Sequence, residues 1–258
     1  MKNFINEEKI SAILDDSQRG HSDHAESILK KALNLKGLSP EEAAILLNCE
    51  DDALLDRLYT TARQIKEEIY GKRLVLFAPL YLSNRCINSC SYCGFSNRNT
   101  STGKRLLDMQ EIRDETKALI SQGHKRLLLV SAEDPEVSID YLQDAIKTVY
   151  ETKEGNGAIR RINVNVAPME ESDFKKLKGT GIGTYQSFQE TYHTDTYKQL
   201  HTSGPKSDYL KRLYACDNAQ SAGIDDVGIG ALFGLHDYKY EVLAILFHAI
   251  HLEEVFGV

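Results

Sequence analysis

The stretch RLVLFAPLYLSNRCINSCSYCGFS, residues 73 to 96, runs from an apolar, β-rich segment directly into a loop with three of the chain's five cysteines. Cys86, Cys90 and Cys93 follow the spacing C-x3-C-x2-C. The apolar segment predicts a β-strand, so the cysteines fall immediately after its carboxyl end. The patterns on either side of this stretch indicate which fold presents the loop.

Further β-rich runs follow residue 96, and amphipathic helical patterns such as DMQEIRDETKALISQG separate them. Repeated alternation of strand and helix predicts an α/β fold with parallel strands, either an open doubly wound sheet or a barrel. In both architectures functional groups lie at the carboxyl ends of the strands, where the cysteine loop falls. The predicted runs are KRLLLVSA (125–132), RINVNVAP (161–168), GTYQSFQET (183–191) and DVGIGALFG (226–234).

The first seventy residues carry helical periodicity instead. Ser39, followed by Pro40 and by Glu42, predicts a helix start with a capping box. We therefore predict a helical N-terminal extension over residues 1–72 and an α/β domain over residues 73–258.

Composition narrows the functional class. A chain of 258 residues with 41% hydrophobic residues can bury a core, and a net charge of -7 argues against a nucleic-acid partner. There is no apolar run of bilayer-spanning length, and MKNFINEEK is charged where a signal peptide needs an apolar segment. These features predict a cytoplasmic protein without a membrane partner. In a reducing compartment, clustered cysteines favour metal binding over disulfides.

The three thiols of the loop have several possible uses. A structural zinc site needs four ligands, and the chain offers no second cysteine pair to supply them. A disulfide would leave one thiol over. An iron–sulfur cube on three cysteines leaves one iron open to a small-molecule chelate. The spacing favours this open cluster, with zinc as the alternative.

The cysteine loop resembles that of the radical S-adenosylmethionine (SAM) superfamily. Longer segments of residues 70 to 258 resemble the radical SAM tyrosine lyases of FeFe-hydrogenase maturation, the HydG family, whose near relative is ThiH of thiazole synthesis. They include GHKRLLLVSAEDP (123–135), IRRINVNVAPMEESDFKKLKGTGIGTYQSFQETYH (159–193), SGPKSDY (203–209) and AGIDDVGIGALFGLHDYKYEVL (222–243).

That resemblance implies a TIM-type barrel, a 4Fe-4S cluster and SAM as cofactors. It also implies cleavage of the Cα–Cβ bond of L-tyrosine to p-cresol and dehydroglycine, the latter a source of carbon monoxide and cyanide for the hydrogenase. A ferredoxin or flavodoxin would donate electrons, and other hydrogenase maturation proteins would be partners.

Residue roles are also implied by the resemblance. The three cysteines match the cluster ligands, and the Tyr92 backbone matches the position that contacts adenine. Ala132 and Glu133, with Ser131, match the turn that meets the amino group of SAM. Glu190 matches a ribose-binding acid, with pairing to a lysine as its alternative.

His251 matches a substrate-side catalytic histidine, with a packed core histidine as its alternative. Two groups of side chains are expected to be non-functional. Tyr192, His193, Tyr197 and His201 are predicted to lie at the surface, and Cys49 and Cys216 are predicted to be buried as small apolar residues.

Length sets a further expectation. An eight-unit barrel takes ~250 residues, whereas about five strand–helix units fit between Arg73 and Val258. The sequence therefore predicts a partial barrel, a fragment whose activity needs further segments. Three functions remain open: the cluster half of a HydG-type tyrosine lyase, a ThiH-type 2-iminoacetate synthase, or a non-catalytic metal-binding remnant.

Overall fold

The computed structural model describes residues 1–18 and 22–257, which form two compact units. The first, the sheet unit, contains Met1–Lys2, Leu76–Leu232 and Leu252–Val258. The second, the helical unit, contains Asn3–Val75 and Phe233–His251. The break after Val75 lies close to the predicted boundary after residue 72, and the division into domains 1–72 and 73–258 stays a prediction.

The helical unit begins with four helices. They are α1 (Glu7–Ser17), α2 (Ser22–Ala32), α3 (Pro40–Leu47) and α4 (Asp52–Tyr70). The predicted capping box is confirmed at α3, where Glu42 N–H donates to Ser39 Oγ and Ser39 N–H donates to a Glu42 carboxylate oxygen. In the described part of the chain, no helix has both the length and the apolar character that crossing a bilayer requires.

The sheet unit is built on five parallel strands, and this confirms the predicted alternation of strand and helix. In chain order its strands are β1 (Ala78–Ser83), β2 (Arg126–Ser131), β3 (Lys153–Glu154), β4 (Gly157–Ala158), β5 (Arg161–Asn165), β6 (Tyr185–Gln186) and β7 (Val227–Gly228). The sheet order is β1-β2-β5-β6-β7, while β3 and β4 form a separate antiparallel hairpin that the sequence did not predict. With its helices, this sheet is a partial TIM-type barrel.

Helices connect successive strands of the sheet. They are α5 (Met109–Ser121), α6 (Ile139–Glu151), α7 (Glu171–Lys178), α8 (Thr194–Leu200), α9 (Tyr209–Leu213) and α10 (Ala215–Ser221), and α11 (Tyr238–Phe256) follows β7. Alternate strand residues such as Leu127, Leu129 and Val164 are fully buried in one core with Ile146 of α6 and Phe174 of α7. A period of two is expected where one face of each strand packs against helices. The core therefore fixes the register of the strands whose ends carry the loops.

The last two strands are shorter than the sequence predicts. Regular pairing covers only Tyr185–Gln186 and Val227–Gly228, although single hydrogen bonds continue beyond it. Gln189 N–H, for example, donates to Gly230 C=O at 3.0 Å. Glu190 then adopts a left-handed φ of 71°, which a β-strand does not accommodate. The predicted strands over 183–191 and 226–234 were therefore wrong in extent, although an isolated parallel bridge still joins Glu190 to Ala231.

His248 gives the helical unit a pH-dependent stability. It lies buried on α11, and desolvation together with the charge of His251 lowers the pKa of His248 to about 3. A histidine in the unfolded chain titrates near pH 6.5. The unfolded chain therefore binds the proton more tightly than the folded chain does. The stability that neutral His248 contributes is complete above pH 6.5 and is lost as the pH falls towards 3.

Between pH 7.5 and pH 5, we expect the free energy of unfolding to fall about 2 kcal/mol further in the native protein than in His248→Leu. Urea titrations at both values measure this difference. The exposed His24 on α2 supplies the control, because His24→Leu leaves the buried His248 in place and should retain the difference from His248→Leu. Equal slopes in the native protein and His248→Leu would contradict the assignment.

Candidate functional site

The cysteine loop follows β1 in the sheet unit, as predicted. Cys90 is buried, with 5% exposure, and Cys86 and Cys93 are partly exposed. Burial raises the pKa of the Cys90 thiol. Backbone N–H groups point at the other two sulfurs: Asn88 N–H donates to Cys86 Sγ at 3.5 Å, and Phe95 N–H donates to Cys93 Sγ at 3.4 Å. Hydrogen bonds of this kind tune the thiolates that hold iron–sulfur clusters.

A distant segment of the chain pairs with the loop. Residues 200–206, here called the bracing segment, begin at the last residue of α8 and run antiparallel to the cysteine loop, with a bridge between Cys90 and His201. Ser91 N–H donates to Leu200 C=O at 3.0 Å, and Ser89 N–H donates to Ser203 C=O at 3.1 Å. This pairing fixes the backbone between the thiols.

Asn88 joins the loop to both the bracing segment and the end of β2. Its Oδ1 accepts from Lys206 N–H at 2.8 Å, and its Nδ2 donates to Glu133 Oε2 at 2.7 Å. Ile87 N–H also donates to Glu133 C=O at 3.1 Å. The predicted cofactor residue Glu133 is therefore held directly against the cysteine loop.

The turn after β2 contains the other predicted amino-group contacts. Ala132 N–H donates to Ser83 C=O at 2.9 Å, and Ser131 Oγ donates to Ala132 C=O at 2.7 Å. Beyond it, a small crevice is lined by Glu133, Pro168, Pro205, Lys206, Lys211 and Arg212. The cationic side chains in this crevice were not identified from the sequence.

Tyr92 of the cysteine loop is partly exposed and pairs with the buried His201. Tyr92 Oη lies 2.7 Å from His201 Nε2, and His201 Nδ1 lies 2.9 Å from Tyr197 C=O. Since a carbonyl only accepts, His201 donates from Nδ1. Burial, with the charge of Lys206, lowers the pKa of His201 to about 4, so the neutral ring accepts the Tyr92 proton at Nε2.

The predicted surface position of this region was wrong. Tyr192 and Tyr197 are completely buried, and His201 is 2% exposed. The segment after β6 folds into short helices that pack its aromatic side chains beneath the loop; Tyr197 contacts Tyr209 edge to face. His193 is partly exposed and caps α8. The sequence did contain one signal of this packing: Tyr197 and His201 are four residues apart, which places them on the same face of a helix.

Glu190 is paired with Lys206, which is the alternative that the sequence left open. Lys206 Nζ donates to Glu190 Oε1 at 2.7 Å, and both side chains are largely buried, with 13% and 16% exposure. The same Nζ lies 5.9 Å from the centroid of the Tyr92 ring. Desolvation, with the nearby charge of Arg212, lowers the pKa of Lys206. The structure thus brings together the predicted adenine and ribose contacts around one lysine.

The remaining predicted residues lie elsewhere. His251 belongs to the helical unit, where its ring stacks on Phe4 with centroids 3.7 Å apart. Cys216 is buried as predicted, and desolvation raises its pKa to about 12. Cys49 is only partly buried, because it follows the end of α3 at the edge of a small cluster, so its predicted burial was wrong.

The donor set fits an iron–sulfur cluster. Within residues 1–18 and 22–257, no group of three or more His, Cys, Asp or Glu residues is arranged to hold a metal ion. In a four-iron cube, however, each thiolate binds a different iron, so the ligands need not converge on one point. Three thiols on one braced loop, with N–H groups directed at two of the sulfurs, match that requirement.

The family model of the radical SAM superfamily matches residues 80–248. The chain therefore belongs to the radical SAM superfamily, and membership of this superfamily implies a 4Fe-4S cluster and SAM as cofactors. Within it, the chain is similar to a crystal structure of HydG, a maturase of the FeFe-hydrogenase, at 54% identity and a TM-score of 0.97 over 100% of this chain. The HydG structure from Carboxydothermus hydrogenoformans shows 43% identity and a TM-score of 0.89 over 98% of the chain.

Among curated proteins, 2-iminoacetate synthase of Escherichia coli (strain K12) is 32% identical over 88% of this chain. These similarities confirm the predicted resemblance. The chain covers 57% and 58% of the two HydG chains and 59% of the synthase.

Asn88→Ala should weaken the loop measurably. The substitution removes the Asn88 side-chain amide, which hydrogen-bonds both Lys206 N–H and the Glu133 carboxylate. The loss should lower the free energy of unfolding by about 1–3 kcal/mol. Asn99→Ala is the control, because within the described residues the Asn99 side chain bonds to Gly94 and Ser101, which are both close to it in the chain. Urea unfolding and iron content after reconstitution measure the effect. Equal losses in the two variants would contradict the bridging role of Asn88.

Proposed function

We propose that this site performs the chemistry of a radical SAM tyrosine lyase, cleaving the Cα–Cβ bond of L-tyrosine to p-cresol and dehydroglycine. The observation that carries the proposal is the TM-score of 0.97 with HydG at 54% identity over the full chain. The similarity to a 2-iminoacetate synthase supports it, because 2-iminoacetate is dehydroglycine.

The loop residues have distinct tasks in this proposal. The three cysteines would hold a 4Fe-4S cluster and would leave one iron for the methionine part of SAM. The Tyr92 backbone would contact the adenine, the turn at Ala132 and Glu133 would meet the amino group, and Glu190 would hold the ribose through charge-assisted hydrogen bonds. When bound and reduced, the cluster and SAM supply a carbon radical that removes a hydrogen atom from the substrate.

The products account for every atom of tyrosine. Supplied with SAM, the site would consume two electrons and one proton per tyrosine and yield methionine, 5'-deoxyadenosine, p-cresol and dehydroglycine. A low-potential ferredoxin or flavodoxin is the proposed electron donor. His251 is the proposed substrate-side residue, and the proposed partners are other hydrogenase maturation proteins.

Anaerobic reconstitution with iron and sulfide, followed by SAM, reductant and tyrosine, tests the proposal. We expect p-cresol and 5'-deoxyadenosine to form together and only with tyrosine present. Formation of 5'-deoxyadenosine without p-cresol would refute the substrate. Visible absorbance that depends on Cys90, with neither product, would instead favour a non-catalytic metal-binding protein.

Two fates of dehydroglycine remain to be distinguished. The higher identity to HydG favours the maturation branch, in which dehydroglycine is broken down to carbon monoxide and cyanide. Trapping both gases after turnover would support that branch. Release of intact dehydroglycine alone would support the thiazole-synthesis branch.

A further inference from the structure

Lys206 occupies the meeting point of three functional groups. Its Nζ lies 2.7 Å from Glu190 Oε1 and 5.9 Å from the Tyr92 ring centroid, and its backbone N–H donates to Asn88 of the cysteine loop. We propose that Lys206 is a positioning residue that sets the Glu190 carboxylate beside Tyr92 for nucleoside binding and places a positive charge next to the cluster. This inference rests on the proposed binding of a cluster and SAM.

The Glu190 carboxylate depends on Lys206 for its position. The Glu190 backbone is held at a φ of 71°, where Leu232 N–H donates to its carbonyl oxygen at 2.7 Å. Strained backbone of this kind persists where surrounding contacts over-determine it. Lys206 is the cation that binds the carboxylate, and both groups are mostly shielded from water. Removing one partner from such a pair leaves an uncompensated charge, which moves or protonates.

Lys206 is itself fixed relative to the cysteine loop. Its N–H donates to Asn88 Oδ1 at 2.8 Å, and its C=O accepts from Tyr197 Oη at 2.5 Å. These bonds hold the lysine backbone on both sides. The bracing segment therefore positions both the Lys206 ammonium group and the backbone between the thiols. The position of Glu190, and of a nucleoside bound to it, is thereby coupled to the position of the cluster.

The charge of Lys206 has a second consequence. The backbone N–H of Lys206 bonds to Asn88, two residues before Cys90, and its Nζ lies 5.9 Å from the ring of Tyr92, which stands between Cys90 and Cys93. Reduction adds negative charge to a cluster, and a neighbouring cation stabilises the more negative state. Lys206 should therefore raise the reduction potential of the bound cluster, which eases its reduction by the electron donor.

Three variants test the lysine. Lys206→Met removes the charge and keeps the length, Lys206→Arg keeps the charge, and Lys198→Met changes an exposed lysine on α8. After anaerobic reconstitution, SAM affinity is measured by equilibrium binding and the midpoint potential by redox titration followed with electron paramagnetic resonance. For Lys206→Met we expect roughly tenfold weaker SAM binding and a lower midpoint potential. Lys206→Arg should recover most of both, and Lys198→Met should match the native protein.

Glu190→Gln separates positioning from general damage. It should also weaken SAM binding, but it removes a negative charge and should raise the midpoint potential. Opposite shifts in Glu190→Gln and Lys206→Met are not expected from misfolding alone. If Lys206→Met does not assemble a cluster, the Lys206→Arg and Glu190→Gln results decide the inference.

The outcomes also separate this inference from the proposed function. A native chain that neither assembles a cluster nor binds SAM would refute the proposed function. The role of Lys206 alone would be overturned if the native chain assembles a cluster and binds SAM, and Lys206→Met does so with the same SAM affinity and the same midpoint potential. Potentials of Glu190→Gln and Lys206→Met that shift in the same direction would also overturn it.

Discussion

Cys90→Ala is expected to abolish cluster binding, with iron and sulfide falling to less than about a tenth of the native content after reconstitution. The loop supplies three thiols, and Cys90 is the most deeply buried of them. At 5% exposure, its position gives water little access to replace the missing sulfur. Broad visible absorbance and the formation of 5'-deoxyadenosine should be lost together with the iron.

Cys216→Ala is the matched control for this experiment. Cys216 is also a buried thiol of the sheet unit, but it lies in the hydrophobic core among apolar residues. The variant should be somewhat less stable and should retain its full iron content. A Cys90→Ala protein that keeps native iron, or a Cys216→Ala protein that loses it while folded, would refute the assignment of cluster ligands.

The sequence predicted the features that depend on local pattern. The two strands after the cysteine loop and the helices between them form near their predicted positions, whereas the strand before the loop covers only Ala78–Ser83 of the predicted run 73–83. Regular pairing in β6 and β7 also covers only part of the predicted runs, and the left-handed backbone of Glu190 has no local signal in a non-glycine residue. The motif SGPKSDY was recognised by its resemblance to the family, but its pairing with the cysteine loop was not predicted.

The environment of the site depends on contacts between residues far apart in the chain. Tyr92 and His201 are 109 positions apart, and Asn88 and Glu133 are 45 apart. The position of this segment, in the loop after the fourth predicted strand, favoured a surface location, whereas Tyr192, Tyr197 and His201 are all buried. Local periodicity carries no information about such pairings, so the sequence predicted the candidate cluster ligands but not the side chains around them.

Gly204→Ala is expected to lower the free energy of unfolding by about 2–5 kcal/mol. Gly204 lies in the bracing segment with a φ of 88°, which disfavours any residue with a Cβ. A Cβ there would also lie 2.8 Å from Asn88 Cα and 2.9 Å from Ile87 C=O, well inside van der Waals contact. Because these are backbone atoms of the cysteine loop, the loop itself must move.

Gly123→Ala isolates the part of this effect that comes from the loop. Gly123 has a similar φ of 93°, but a Cβ at that position meets nothing within 4 Å. Its substitution should therefore cost only the backbone strain, about 1–2 kcal/mol, and leave iron content unchanged. Urea unfolding and iron analysis of both variants give the comparison. If Gly204→Ala is no more destabilising than Gly123→Ala and binds native iron, then close packing of the bracing segment does not hold the cysteine loop in place.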